Sequence, residues 1–415
     1  MEEPMRTRKI RTDILYNGVD ANVDISDVLA DFSFSDSTEE SDSISLTLND
    51  REEKWSGAWM PENGDKIRAG IVLENWRYEG ERKQIRCGEF VIDSYRIQAP
   101  PQKIDIEGVS SPVNRDFKET ERTQTWEKVT IRQIASEIAG RYGLALVYDT
   151  DQDITLEREE QNEKTDSVYL KGLCNQYGLG IKVYASQLII WSYEEYEARA
   201  PAAAIWPKMT RKWSYKGSIQ GTYTGAKVSY SDPQKNETLE AFVGAEGRVL
   251  NVNQKAESIA DAERIGRNAM RNANRKEITA ELSLWPDISL TLAASQTVQL
   301  TGFGKIDGIY FVSKVLHRIS SGGEYEQGLS LYRIKGEART EEAAEEASGG
   351  QERNYIVRRG DTLWDLAKTY YGSGTKYTVI YDANRDNIEA EAKRRGKQSS
   401  NGGYWIYPGT ELTIP

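Results

Sequence analysis

Histidine and cysteine are almost absent from this sequence of 415 residues. His317 is the single histidine, and Cys87 and Cys174 are the two cysteines. Two thiols so far apart do not provide the disulfide framework of a small secreted domain, and one imidazole with two thiols does not make a zinc site of His and Cys ligands. A Ser-His-Asp or Cys-His arrangement would depend on His317, which lies at the end of a predicted strand. We therefore interpret His317 as a structural residue.

Long apolar runs and an excess of positive charge are also missing. The first eleven residues are charged and no apolar segment follows them, so we expect neither a signal peptide nor a membrane span. The 54 Lys and Arg against 65 Asp and Glu give a net charge of −11. This balance is unfavourable for phosphate binding, and we expect no specific nucleic-acid partner. An acidic surface around a channel would instead repel DNA that passes through it.

No local pattern marks a catalytic or phosphate-binding site. Neighbouring carboxylates such as Glu159 and Glu160 are abundant, but a glycosidase needs two opposed carboxylates in a cleft, and charge runs are usually solvated. The glycines at 221–227 and 302–304 lack the spacing of a phosphate loop. We therefore predict that the protein is not an enzyme, and that it has no catalytic residues, no metal and no cofactor.

Alternating apolar residues predict a mainly β chain. In the N-terminal part, the period of two expected for half-buried strands is found at 30–34, 43–48, 66–73, 89–96 and 103–109. A second β region begins near Trp206, with strand candidates at 225–230, 277–284, 297–300, 308–316 and 328–334. We expect two tube-like antiparallel β-barrel domains.

A small helix–strand insert separates the two β regions. Apolar residues recur with helical spacing over 131–142 and again over 169–177. A glycine, Gly143 or Gly178, follows each stretch in the position of a helix C-cap, and a short strand is expected after each glycine. A longer helix is predicted over 257–274.

The boundary nearest the C-terminus is the most distinct. Residues 336–353 contain no large apolar side chain and cannot form a core, so we predict a charged tether there. The resulting organisation is a first tube-like β domain, an α/β insert, a second tube-like β domain, a charged linker and a small module, at residues 1–122, 123–200, 201–334, 335–353 and 354–415.

The small module contains a sequence pattern of its own. Gly360, Asp361, Thr362 and Leu363 follow a short strand and precede a helical stripe of apolar residues. A second helix is expected over 376–384 and a closing strand within 407–414. In this order of motifs the module closely resembles the LysM family. The resemblance implies a β-α-α-β fold that binds N-acetylglucosamine-containing chains, chiefly peptidoglycan.

The LysM resemblance also implies a binding groove. Its candidate lining residues are Gly360, Asp361, Thr362 and Leu363 from one loop, and Asn384, Arg385 and Ile388 from the other side. Gly360 and Asp361 would build a turn and a helix cap whether or not a sugar binds. Residues 389–403 depart from the common pattern, and this insertion would either obstruct the groove or add a partner contact. Glycan binding and protein docking are therefore both open at this stage.

Several motifs in the remaining chain resemble another family. Residues 302–320 and 328–331 look like the final hairpin of the phage late control protein D family of tail hub proteins, and 166–178, 221–230 and the helix at 257–274 are similar to the same family. The resemblance spans roughly 1–334. It implies a homotrimer whose paired β domains present a pseudo-sixfold ring, which joins the tail tube protein to a central spike protein among other baseplate proteins.

These resemblances predict a structural baseplate hub of a phage-like contractile tail. Its LysM module would contact peptidoglycan or dock onto other baseplate proteins. We expect the chain to be made in the bacterial cytoplasm and released by lysis as part of a phage tail or bacteriocin-like particle. The alternatives are a peptidoglycan hydrolase targeted by LysM and a free cell-wall or spore-coat protein.

Overall fold

The structure, a computed structural model, describes residues 7–76, 78–110, 116–184, 186–232, 237–286, 290–334, 353–357, 361–371 and 377–414. The chain divides into two units, residues 1–199 with 205–334 and residues 200–204 with 335–415. The predicted charged linker lies outside the described residues, apart from Arg353.

The described chain is mainly β, as the alternation of apolar residues predicts. Its strands are β1 (Lys9–Tyr16), β2 (Val19–Asp20), β3 (Leu29–Ser37), β4 (Ser43–Asn49), β5 (Lys66–Glu74), β6 (Arg82–Gln98), β7 (Lys103–Val109), β8 (Glu121–Thr130), β9 (Ala145–Asp149), β10 (Thr155–Thr165), β11 (Leu179–Tyr184), β12 (Gln187–Ser192), β13 (Ala203–Ile205), β14 (Thr210–Gly217), β15 (Gly225–Asp232), β16 (Glu237–Gly244), β17 (Val249–Val252), β18 (Ile278–Leu284), β19 (Thr297–Leu300), β20 (Gly308–Ser320), β21 (Tyr325–Arg333), β22 (Arg353–Ile356) and β23 (Glu411–Ile414). Its helices are α1 (Asn22–Ser26), α2 (Asp116–Glu119), α3 (Ile131–Arg141), α4 (Asp166–Gln176), α5 (Tyr193–Glu197), α6 (Ile259–Asn274), α7 (Leu363–Tyr371), α8 (Tyr377–Ala383) and α9 (Arg385–Arg394).

One large antiparallel sheet connects the two β regions. Its strand order is β14-β18-β21-β20-β3-β4-β7-β6-β5-β1-β2, and β19 pairs with β20 beside this path. The central pairing is between β20 and β3, from Lys314 opposite Ser37 to Ser320 opposite Asp31. The described strands therefore do not close into two barrels, because β3 and β20 bond to each other, and the path keeps open ends at β14 and β2.

The core that packs against the N-terminal strands also includes residues from the second β region. Alternate residues of β3 and β4, such as Phe32, Phe34 and Leu46, are buried in one cluster. Ile319 and Tyr325, from the hairpin of β20 and β21, belong to the same cluster. Full burial of one such side chain contributes roughly 1.5–3 kcal/mol, so this shared core reinforces the strand pairing.

The helices α3 and α4 of the insert form where the spacing of apolar residues predicts them. The Thr130 hydroxyl accepts a hydrogen bond from the Gln133 backbone N–H at 3.2 Å, and the Gln133 carboxamide oxygen accepts one from the Thr130 N–H at 2.9 Å. This reciprocal pair is a capping box that starts α3. Gly143 and Gly178 follow α3 and α4 with φ of +67° and +72°, the left-handed region that favours glycine. Both predicted helix ends are confirmed.

Three small sheets and α6 complete this part of the first unit, and one of these sheets pairs β8 with β10. Strands β11, β12 and β9 form one sheet, in which β9 and β12 are parallel. Strands β16, β15 and β17 form another, so the predicted strand at 225–230 lies outside the large sheet. Val228 of β15 and Ile265 of α6 are buried in one cluster with Ile134 and Leu170 of the insert.

The C-terminal unit has a β-α-α-β frame with one added helix. Strands β22 and β23 pair antiparallel, and α7 and α8 follow β22 as the LysM resemblance implies. The added helix α9 extends into residues 389–403, the segment that departs from the common LysM pattern. The Ala, Glu, Lys and Arg residues at the start of this segment are strong helix formers. The buried core of the unit consists of Val357, Leu363, Leu366, Ala367, Ile380, Ile388, Leu412 and Ile414.

His317 is a buried part of the large sheet. Its ring stacks on Phe34 and on Tyr325 at centroid distances of 5.8 and 5.9 Å. Its Nδ1 lies 2.6 Å from the Tyr325 hydroxyl oxygen. Burial lowers the pKa of His317 to about 4, an effect that the nearby Asp36 carboxylate opposes. These contacts support its interpretation as a structural residue.

We predict that His317 makes the folded state sensitive to acid. Because the pKa of the folded state is below the unfolded value of 6.5, the stabilisation is complete above pH 6.5 and is lost as the pH falls towards 4. The loss is on the order of 3 kcal/mol between pH 7 and pH 4. Chemical denaturation of His317→Gln should show a shallower loss of stability than wild type over this range. Equal pH profiles for the two proteins would contradict the prediction.

Candidate glycan-binding site

The first candidate loop is organised by helix capping. The Thr362 hydroxyl accepts a hydrogen bond from the Asp365 backbone N–H at 3.0 Å, so Thr362 caps the start of α7. The Tyr355 hydroxyl donates to the Asp361 carboxylate at 2.7 Å. Leu363 is buried in the core of the unit, with 2% of its side chain exposed. Gly360 lies outside the described residues.

The second candidate side is built around Asn384. Its amide nitrogen donates to the backbone oxygens of Ile380 and Thr413 at 2.8 and 2.6 Å, and its amide oxygen accepts from the Thr413 N–H at 2.7 Å. Asn384 is therefore buried, and it connects the end of α8 to β23. Ile388 is 1% exposed and belongs to the core.

Arg385 is the most accessible candidate on this side. Its guanidinium forms an exposed ion pair with Asp382 at 2.6 Å and lies 5.4 Å from the ring centre of Tyr381. Leu363, Asn384 and Ile388 are buried. The described candidates that a ligand can reach without rearrangement are thus Asp361, Thr362 and Arg385.

An open polar cleft of about 540 Å³ lies beside Asn384 and Arg385. The amide nitrogen of Asn387 donates to the Glu411 backbone oxygen at 2.6 Å across this cleft. Such a set of amides, carboxylates and backbone groups is suited to hydroxyl and acetamido groups. The lining residues are Asp382, Ala383, Asn384, Arg385, Asp386, Asn387, Glu411, Leu412 and Thr413. Asp386, Asn387 and the β23 residues were missed by the sequence analysis, although the polar run after Ala383 was a signal for them.

The insertion at 389–403 folds back onto the first loop. Ser400 is completely buried, and its backbone N–H donates to the Glu389 carboxylate at 3.0 Å. The Ser400 hydroxyl also donates to this carboxylate, as does the Tyr381 hydroxyl at 2.8 Å. The hydrogen bonds from the Ser400 hydroxyl and N–H, and then that from Tyr381, lower the pKa of Glu389. A Cβ placed on Gly403 would lie 2.5 Å from Leu363 Cδ1. The end of the insertion therefore covers Leu363, which removes that side chain from any open groove.

We predict that Gly403→Ala destabilises the C-terminal unit by roughly 1–3 kcal/mol, because the added methyl group overlaps Leu363 and Tyr381. The matched control is Gly396→Ala, since Gly396 also has a positive φ, +78° against +82°, but has no atom within 4 Å of its Cβ position. Hydrogen exchange of residues 377–414 in the full chain measures both effects. Equal loss of protection in the two variants would show that the close approach of Gly403 is unimportant.

The described residues offer no metal-binding cluster and no exposed thiol. They contain no cluster of three or more His, Cys, Asp or Glu side chains that could hold a metal ion. Cys87 and Cys174 are free and buried, and burial raises the pKa of Cys174 to about 12, so its thiolate is scarce at neutral pH. Among the described helices, none combines the length and apolarity that a membrane crossing requires.

The fold is that of phage tail proteins. It is similar to the 43 kDa tail protein of prophage MuSo2 from Shewanella oneidensis, with a TM-score of 0.61 and 15% identity over 79% of this chain and 98% of that chain. It is equally similar to a tail protein from Neisseria meningitidis MC58, with a TM-score of 0.61 and 11% identity over 78% of this chain and 97% of that chain. At these identities the likeness concerns the fold alone.

Sequence comparison adds two more specific similarities, to a baseplate hub protein and to the LysM domain. The chain is 22% identical over 368 residues to the probable baseplate hub protein of Escherichia phage 186, covering 76% of this chain and 90% of the relative. Residues 355–391 match the LysM domain family. The chain is also 43% identical over 63 residues to YqbP of Bacillus subtilis (strain 168), an alignment that spans 15% of this chain and 27% of YqbP. The predicted resemblances to baseplate hub proteins and to LysM are confirmed, and together they support a structural role in a baseplate.

Proposed function

We propose that this protein is the hub of a phage-like contractile tail baseplate, where three copies link the tail tube to the central spike. The observation that carries the proposal is the alignment with the phage 186 hub, which covers most of both chains. The large sheet supports it, because β20 and β3 join the two β regions into one sheet with two open ends. An element of this kind is suited to assembly with further copies.

The C-terminal module gives the hub a second attachment. We assign to it the binding of peptidoglycan, through the polar cleft beside Arg385 and Asn387. The support is the LysM match at 355–391 and the cleft itself, which presents hydrogen-bonding groups from α9 and β23. In this proposal the domains are residues 1–122, 123–200, 201–334, 335–353 and 354–415. The two β domains form the hub, and the last domain binds peptidoglycan. The hub carries out no reaction of its own and is released in the particle when the cell lyses.

The position of the chain in the particle is the primary test. Electron cryomicroscopy of native tails from the producing strain should place three copies of this chain between the last tube ring and the spike. Tails purified from a strain that lacks the gene provide the control, and they should lack both the hub density and the spike. A location at the tail surface, or six copies per particle, would contradict the proposed hub.

The glycan assignment predicts a localised loss of binding. In co-sedimentation of the full chain with purified peptidoglycan, Arg385→Ala and Asn387→Ala should each weaken binding by about tenfold, the equivalent of one hydrogen bond to the sugar chain. Arg394→Ala is the matched control, since Arg394 is an exposed arginine of the same helix, paired with Glu391 and outside the cleft.

Two outcomes would overturn parts of the proposal. A wild-type chain that does not sediment with peptidoglycan would leave the module as a protein-docking element. A clearing band of the purified chain in a cell-wall gel would replace the structural function with that of a peptidoglycan hydrolase.

A further inference from the structure

One open end of the large sheet is basic. Residues 208–217 contain Lys208, Arg211, Lys212 and Lys216 and no Asp or Glu, which gives four positive charges. The first two residues of this range precede β14, and the others form it. Every residue of β14 after Thr210 is exposed. In the described part of the chain, Lys212 and Lys216 form no ion pair, so their charges are directed to solvent.

The same end carries exposed aromatic surface. Trp213 and Tyr215 lie opposite Leu282 and Ala280 of β18, and both of these neighbours are buried. Because directly opposed residues point to the same face of a sheet, the two aromatic side chains continue the core face beyond the core. They are nevertheless 46% and 36% exposed.

The backbone of β14 is also available on one side. Within the described residues, β14 pairs with β18 along one edge, and no strand pairs with its other edge. A long edge strand of this kind presents unpaired N–H and C=O groups to another chain, and its lysines limit indiscriminate pairing. The β14 end therefore combines free backbone groups along its edge, aromatic area on one face of the sheet, and the charges of Lys212 and Lys216 on the other face.

The opposite end of the sheet is acidic. Residues 13–27, which run from β1 through β2 and α1, contain Asp13, Asp20, Asp24 and Asp27 and no Lys or Arg, which gives four negative charges. Asp24 is compensated by an ion pair with Lys54 at 2.7 Å.

Asp20 and Asp27 form no ion pair among the described residues. Val19 and Val23 lie beside them and are 69% and 79% exposed. This end thus offers negative charge and apolar area where the β14 end offers positive charge and aromatic area.

We propose that the β14 end of one chain docks on the β2–α1 end of a second copy. This interface rests on the proposed hub assembly and names the surfaces that hold it together. The two ends are different surfaces, so the contact is heterologous and repeats from copy to copy until a rotation closes the ring. A second copy is the fitting occupant because Lys212 and Lys216 at one end match Asp20 and Asp27 at the other, although the whole chain is acidic with a net charge of −11.

The test is a charge exchange between the two ends, in the full chain at low salt. The first double variant is Lys212→Glu with Lys216→Glu, and the second is Asp20→Lys with Asp27→Lys. We expect each of them to weaken self-association at least tenfold, measured by sedimentation velocity. Combining all four substitutions in one chain should restore association, since the exchanged positions at the two ends then again carry opposite charges. High salt should weaken the association of wild type and of the four-substitution chain alike.

The matched control is Lys128→Glu with Lys164→Glu, which reverses two exposed lysines on the sheet of β8 and β10 and should leave association unchanged. Circular dichroism melting checks that each variant is folded. Three results overturn the interface: a wild type that stays monomeric at its highest soluble concentration, reversals that match the control, or a four-substitution chain that is not rescued.

The interface and the hub function fail in different ways. Particles with three copies between tube and spike, but with no effect of the reversals on association, would remove the interface and keep the hub. Restored association of the four-substitution chain, with no copies found between tube and spike, would keep the interface and remove the hub.

Discussion

The pairing of β20 with β3 is the contact on which the rest of the first unit depends. It joins strands that lie almost at opposite ends of the unit in sequence, Gly308–Ser320 and Leu29–Ser37, and it turns two β regions into one sheet. The same register places His317 opposite Phe34, which buries the only histidine of the chain between aromatic rings. It also leaves the sheet open, because the strands that could have closed each region are bonded to each other. The acidic and basic ends exist for this reason.

Local features of the fold were predictable from the sequence, and strand partners were not. The helices α3 and α4 and their terminating glycines follow from side-chain spacing, which depends on neighbours within two turns. A period of two identifies a strand and its buried face, but it does not identify the strand beside it. The expectation of two barrels therefore gave way to one sheet, and the strand at 225–230 lies in a separate sheet with a core that it shares with the insert.

In the candidate site, too, short-range features were predictable from the sequence and long-range contacts were not. The cap formed by Thr362 is a short-range feature, and the sequence indicated it. Burial of Leu363 depends on Gly403, forty residues later, and on the positive φ that allows this glycine to approach closely. Asn384 is a candidate whose amide is fully engaged by backbone groups of α8 and β23. A family resemblance transfers the position of a residue, whereas its accessibility depends on what the rest of this chain places over it.

The long separation between β3 and β20 has a consequence for synthesis of the protein on the ribosome. At about 5–20 residues per second, the strand that covers β3 emerges roughly 15–55 seconds after β3 itself. During that interval a nascent chain carries an uncovered strand edge with Phe32 and Phe34 close by, which is a surface that other nascent chains can pair with. Dense polysomes would bring such edges together, so we infer that slow initiation or a chaperone bound to the nascent N-terminal strands favours the yield of folded protein.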